Sequence, residues 1–127
     1  MVELRIRDEV ILKKILKEID DIHKFINTIT EEDFYNDIKT QKAVIMSLIN
    51  IGELSKSFSD VFIGLNKKIP WKKIQAMRNV AAHTYELIDM QIVWDTINTN
   101  IAELKKELTD LPLFKHPNDN SFTAKIT

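Results

Sequence analysis

Residues Ile69 to Asp89 read Ile-Pro-Trp-Lys-Lys-Ile-Gln-Ala-Met-Arg-Asn-Val-Ala-Ala-His-Thr-Tyr-Glu-Leu-Ile-Asp, and the understanding of the whole chain turns on this stretch. Pro70 suits the first turn of a helix, where a missing N–H is no loss, and Trp71, Ile74, Met77 and Ala81 follow at helical spacing. The spacing predicts a helix from about residue 70 to 82. Arg78 comes four residues after Ile74 and seven after Trp71, which puts it on the apolar face. A guanidinium taken out of water there needs an anion or a ligand, because its desolvation otherwise costs several kcal/mol. His83 stands five positions further on, about 140° around an unbroken helix. The two groups can share a site only if the helix ends or distorts near Ala82, or if a second subunit completes the site. The small Ala81 and Ala82 permit either.

The same period runs upstream. From Asp8 to Ile29, Ile11, Ile15, Ile19, Ile22, Phe25, Ile26 and Ile29 form one stripe with the lysines mostly off it, and Asp8 and Glu9 suit the positive end of this first helix. Lone His23 beside the stripe reads as a boundary or surface imidazole. Thr30 can cap a short turn through Phe34 and Tyr35. A second long helix is expected from Ile38 to Phe58, with Val44, Ile45, Leu48, Ile51, Leu54 and Phe58 inward. Gly52 interrupts it at a cost of about 1 kcal/mol relative to Ala, which points to close approach of a neighbouring backbone. Ser59 to Lys68 is the longest irregular stretch, with Val61, Phe62, Ile63 and Leu65 expected in a short helical turn or buried loop. Downstream, Asp89 is placed to cap a last helix from Met90 to Leu108, whose stripe is Val93, Ile97, Ile101, Leu104 and Leu108. Pro112 closes it, and residues 113–127 read as a polar, mobile tail in which His116 is solvated.

With 127 residues, two Gly, three Pro and 44% hydrophobic residues, the chain reads as one all-α domain over residues 1–112. It has no cysteine, which removes disulfides, thiolate metal sites and Cys nucleophiles. No run approaches the roughly 18 apolar residues of a membrane span, and the N-terminus lacks the apolar core of a signal peptide. A cytoplasmic protein with no membrane partner is expected. The formal charge of −1 argues against nucleic-acid binding over the whole surface. Local positive charge does occur, at Lys67, Lys68, Lys72 and Lys73, either as a solvated face or as a phosphate-capturing patch. The spacing of Trp71 makes it core rather than a base-stacking platform. The histidines at 23, 83 and 116 lack close ligand spacing, so no metal or other cofactor is expected.

The ordered set Arg78-x-x-x-x-His83-x-Tyr85, preceded by Pro-Trp-Lys-Lys-Ile and followed by Asp89 and Trp94, resembles the HepT-like family of HEPN-domain ribonucleases. Thr40-Gln41-Lys42-Ala43-Val44 and Ile49-Asn50-Ile51-Gly52-Glu53 are similar to the family's second-helix signature, and Val93-Trp94-Asp95-Thr96 to the start of its last helix. Roughly residues 5 to 110 are covered. The resemblance implies an antiparallel up-down bundle of four to five helices that dimerises, with the active cleft at a two-fold interface. It implies a metal-independent endoribonuclease toxin of a toxin–antitoxin system, with RNA as substrate. By the same resemblance Glu53 lies near the site and pairs with Arg78, Asn79 orients the catalytic groups, and Tyr85 receives AMP from a nucleotidyltransferase antitoxin.

The residue types fit that chemistry on their own terms. RNA carries its own nucleophile, the 2′-hydroxyl, so protein need only move protons and stabilise charge on phosphorus. An imidazole near pKa 6.5 suits the first task and a guanidinium the second. Two other readings compete. In one the chain is a non-catalytic module that binds nucleotide or partner. In the other Arg78 is merely a buried ion-pair member, whose loss would cost about 3–5 kcal/mol, and His83 a helix-end cap.

Overall fold

Capping and closing interactions set where the helices begin and end. The computed structural model describes residues 2–76, 78–79 and 89–111, with side chains from Ile6 onward. His83, Tyr85, His116 and the expected tail lie outside these residues. Helices α1 (Val2–Ile26), α2 (Glu31–Tyr35), α3 (Ile38–Ser55) and α4 (Asp60–Leu65) are followed by α5, helical at 71–76 and 78–79. α6 (Met90–Asp95) then runs through a π-helical segment, Thr96–Asn100, into α7 (Ile101–Thr109). Among the described residues there is no strand, and the architecture is all-α.

Thr30 and Asp33 form a reciprocal capping box at α2, satisfying two backbone donors. Asp37 caps α3 by accepting from the Thr40 amide, Ser59 caps α4, and Asp89 caps α6 as its position suggested. At α5 the Pro70 carbonyl accepts the first helical bond, from Ile74, so Pro70 stands at the cap, one position before the first turn. Gln41, buried, donates through Nε2 to the Phe34 and Tyr35 carbonyls at 2.9 and 3.1 Å, closing the C-terminal end of α2 against α3. Nearby, the Tyr35 hydroxyl donates to Glu31 at 2.6 Å, and this bond to a carboxylate is the main reason its pKa is pushed up to about 12.

The core is the sum of the stripes. Leu12, Ile15, Ile19 and Ile22 of α1 meet Val44, Leu48 and Ile51 of α3, and α7 rests on α1 through Ile101, Leu104 and Leu108. Each such side chain stabilises the fold by about 1.5–3 kcal/mol on burial. Trp71 is core, as its spacing indicated: it packs against Phe58 and Phe62, and its indole N–H donates to the Asn66 carbonyl at 2.9 Å.

Four sequence expectations need correction. α1 begins at Val2, not near Asp8, so Asp8 does not serve its positive end. It is 5% exposed and accepts from the Ser59 amide and hydroxyl at 2.9 and 2.7 Å, tying α1 to the start of α4. Phe25, placed on the stripe, is exposed: the inward face continues from Ile22 to Ile26 and Ile29, and Phe25 stands at its edge. α3 stops at Ser55, whose hydroxyl bonds back to the Gly52 carbonyl, and Phe58 is buried from the loop beyond it. Val61 and Leu65 of α4 face solvent, while Phe62 and Ile63 pack on the core.

The π segment answers a problem in the last stripe. Val93, Ile97 and Ile101 step by four residues, and each such step drifts about 40° around an α-helix. A π turn, closed i→i+5, rotates less per residue and keeps all three inward, where each is buried to 1% exposure or less.

Gly52 meets a neighbour as expected. A Cβ built there would lie 2.8 Å from the Arg78 Cβ and 3.0 Å from the Arg78 backbone N, whereas one at Gly64 would meet nothing within 4 Å. Replacing Gly by Ala in a helix gains about 1 kcal/mol of propensity, but forcing apart two packed helices costs about 1–3 kcal/mol. Gly52→Ala is therefore expected to lower stability in chemical denaturation, and Gly64→Ala to raise it by about 0.5–1 kcal/mol. Equal gains from both would refute the contact.

Candidate active site

α3 and α5 come together at the Gly52–Arg78 contact, and that contact places the charged groups. With its Cβ against Gly52, the Arg78 side chain runs outward along α3 to the next residue, where its Nε forms an ion pair with Glu53 Oε1. Helical spacing put Arg78 on the inward face with Trp71 and Ile74. Those two are indeed buried, but the Arg78 side chain is 46% exposed and that of Glu53 49%. The stem begins at the helix interface and the charged head reaches water, the usual compromise for a long cationic side chain. The pair is thus not a buried one, and the large stability loss expected of a buried pair does not apply to it.

Glu53 has a second cation. Lys56, the residue that closes the C-terminal end of α3, lies 3.9 Å from the same Oε1. The sequence reading did not single Lys56 out, although its i,i+3 spacing from Glu53 would have found it. Asn79 Oδ1 accepts from Arg78 Nη1 at 3.5 Å, a long contact that nevertheless sets the amide beside the guanidinium. Arg78, Glu53 and Asn79 are therefore brought together. The expected positions of His83 and Tyr85 in the site lie outside the described residues.

Lys67, Lys68, Lys72 and Lys73 are all exposed, before and within α5, and none enters an ion pair among the described residues. A groove of about 490 Å³ opens between α1 and α3, with Glu53 in its lining together with Lys14, Lys17, Glu18, Asn50 and Ser57 among others. Of its lining residues the sequence reading marked Glu53 as a site residue and Asn50 as part of the family's second-helix signature, and placed Lys14, Lys17 and Glu18 off the apolar stripe of α1. No helix among the described residues is long and apolar enough to cross a membrane.

The chain matches the family described as Ribonuclease HepT-like over residues 15–111. It is 38% identical over 100 residues to the "Probable ribonuclease HepT" of Thermococcus cleftensis, covering 79% of this chain and 91% of that protein. A "Putative RNase" of Methanocaldococcus jannaschii is 37% identical over 100 residues, covering 79% of this chain and 83% of the other. Another of that name, from Caldanaerobacter subterraneus, is 34% identical over 100 residues, with 79% and 89% covered. No solved structure matches the chain.

A half-exposed ion pair contributes less than about 1 kcal/mol, so Glu53→Gln is expected to shift the unfolding midpoint only slightly. Glu53→Lys sets a third cation beside Arg78 and Lys56 and should be clearly less stable than Glu53→Gln, most of all at low salt. Superimposable melting curves for the two variants would show that Glu53 and Arg78 do not pair in solution.

Proposed function

The chain belongs to the HepT-like ribonuclease family, and from that premise we propose that it is a metal-independent RNA endonuclease in which Arg78 clamps phosphate and His83 transfers protons. The observation that carries this reading is the placement of Arg78: a fixed charge, anchored at the α3–α5 contact yet open to solvent, where a phosphate can replace Glu53 as its anion. A guanidinium offers planar paired donors to phosphate oxygens, so such an exchange gains geometry as well as charge.

In the reaction the 2′-oxygen attacks the adjacent phosphorus while His83 takes its proton. The bond from phosphorus to the 5′-oxygen breaks, and that oxygen leaves with a proton returned by an imidazolium. The products are a 2′,3′-cyclic phosphate and a 5′-hydroxyl. Arg78 stabilises the added charge on phosphorus as it develops. A homodimer supplies two copies of each group to one cleft, so that one His83 can act as base and the other as acid. Glu53 holds the guanidinium in place until phosphate replaces it, Asn79 stays alongside, and Lys67, Lys68, Lys72 and Lys73 draw in the strand. The chain serves as the toxin of a toxin–antitoxin pair in the cytoplasm.

Purified protein should cut single-stranded RNA in the presence of a chelator. Arg78→Ala should lower kcat at least about a hundredfold, and His83→Ala by about 10²–10⁴, with melting temperatures close to that of the unchanged protein. Retained cleavage in both variants would discard the assignment. Binding without cleavage at any protein excess would favour the non-catalytic module instead.

Tyr85 is the proposed acceptor of AMP from a nucleotidyltransferase antitoxin, as the family resemblance implies, and a bulky anionic nucleotide on it would repel RNA by volume and by charge. Incubation with ATP and such an enzyme should add AMP, seen by mass spectrometry, and silence cleavage. A Tyr85→Phe protein that is still modified and silenced would refute Tyr85 as the acceptor.

A further inference from the structure

We propose that the groove between α1 and α3 is a subsite for one RNA nucleotide flanking the cleaved bond, with Lys14 as its phosphate contact. The inference deepens the ribonuclease reading and rests on it. At about 490 Å³ the groove lies within the ~300–1,000 Å³ typical of small-ligand sites. It is continuous with the candidate active site, because Glu53 belongs to both: its carboxylate lines the groove and holds Arg78. A strand whose cleaved phosphate rests on Arg78 therefore has its next nucleotide beside this groove.

Among the charges lining the groove, Lys14 is the cation without a carboxylate partner in the described residues: Lys17 shares Asp21 at 3.3 Å in an exposed, weak pair, and Glu53 is matched by Arg78 and Lys56. Glu18 accepts a hydrogen bond from Asn50 Nδ2 at 3.1 Å, which fixes that amide across the two helices. Lys14 is exposed and enters no ion pair among the described residues, so its ammonium is the lining cation with a vacancy for phosphate. Asn50 keeps its amide oxygen and second N–H for a base edge, and Glu18 can accept from a base amino group. Single-stranded RNA is read at just such exposed edges. A cation for phosphate and polar groups for a base edge thus meet in one cleft that Glu53 shares with Arg78.

The test compares two neighbouring lysines in the full chain. Lys13 sits beside Lys14 in α1 but points around the helix to Glu9, 3.4 Å away, and does not line the groove. Binding is followed by fluorescence anisotropy with a labelled, 2′-O-methylated single-stranded RNA, which cannot be cut, and cleavage is followed on the unmodified strand. Lys14→Glu should weaken binding about tenfold or more and raise KM by a like factor with kcat unchanged. Lys13→Glu, with the same change in net charge, should stay within about twofold of the unaltered protein. If Lys14→Glu binds and cuts as the unaltered protein does, or if both variants weaken equally, the subsite is overturned while the ribonuclease reading stands. If the unaltered protein neither binds nor cuts RNA, the ribonuclease reading falls and the subsite with it.

Discussion

The lack of a side chain at Gly52 is the constraint from which the rest of the candidate site follows. Two helices can bring backbone to within van der Waals contact only where one of them has no Cβ, and here the other contributes the Cα and Cβ of Arg78. The crossing point fixes more than a distance. It fixes which residue of α5 stands beside which residue of α3, and so gives the guanidinium the carboxylate one step along. A residue that weakens helix α3 in isolation thereby determines the electrostatics of the surface above it. The propensity lost at one position of an 18-residue helix is small beside the burial of its apolar face.

The charge arrangement that results is economical in desolvation. A permanent cation at a helix–helix contact would ordinarily face a penalty of several kcal/mol, yet here only the first carbons of the side chain lie at the contact. The head stays in water, held by Glu53, with Asn79 alongside and Lys56 on the same carboxylate. A charge held this way is preorganised without being buried: the guanidinium is oriented, and its partner is only a solvent-screened carboxylate.

Much of this was legible in the sequence, and the reasons differ by element. The stripes of α1, α3 and the last helix could be read because 3.6-residue periodicity reflects burial directly, and Val93, Ile97, Ile101, Leu104 and Leu108 are all inward. Thr30 and Asp89 could be read because caps are local chemistry. Gly52 signalled a neighbour but could not name Arg78 as that neighbour; the ordered motifs of the family linked the pair through Glu53. What stayed hidden depended on distant partners or on side-chain length. Asp8 looked like the helper of its own helix because its true partner, Ser59, belongs to α4. Arg78 looked buried because face assignment follows the Cα and ignores how far a side chain can reach. The π segment left only the faint mark of consecutive four-residue steps, and the groove no mark at all, since it exists between two polar backs.

The carboxylate of Asp8, joined to Ser59 across 51 residues, closes a loop that holds α1 through α3. Everything inside the loop it closes, α1 through α3, precedes Ser59 in the chain, so a ribosome delivers the acceptor before the donors it will receive. Every partner of that latch has been made once α4 is made, whereas the seam between α1 and α7 cannot close before Thr109 has been added. Vectorial synthesis thus meets a structure whose first latch closes early and whose last closes at the end.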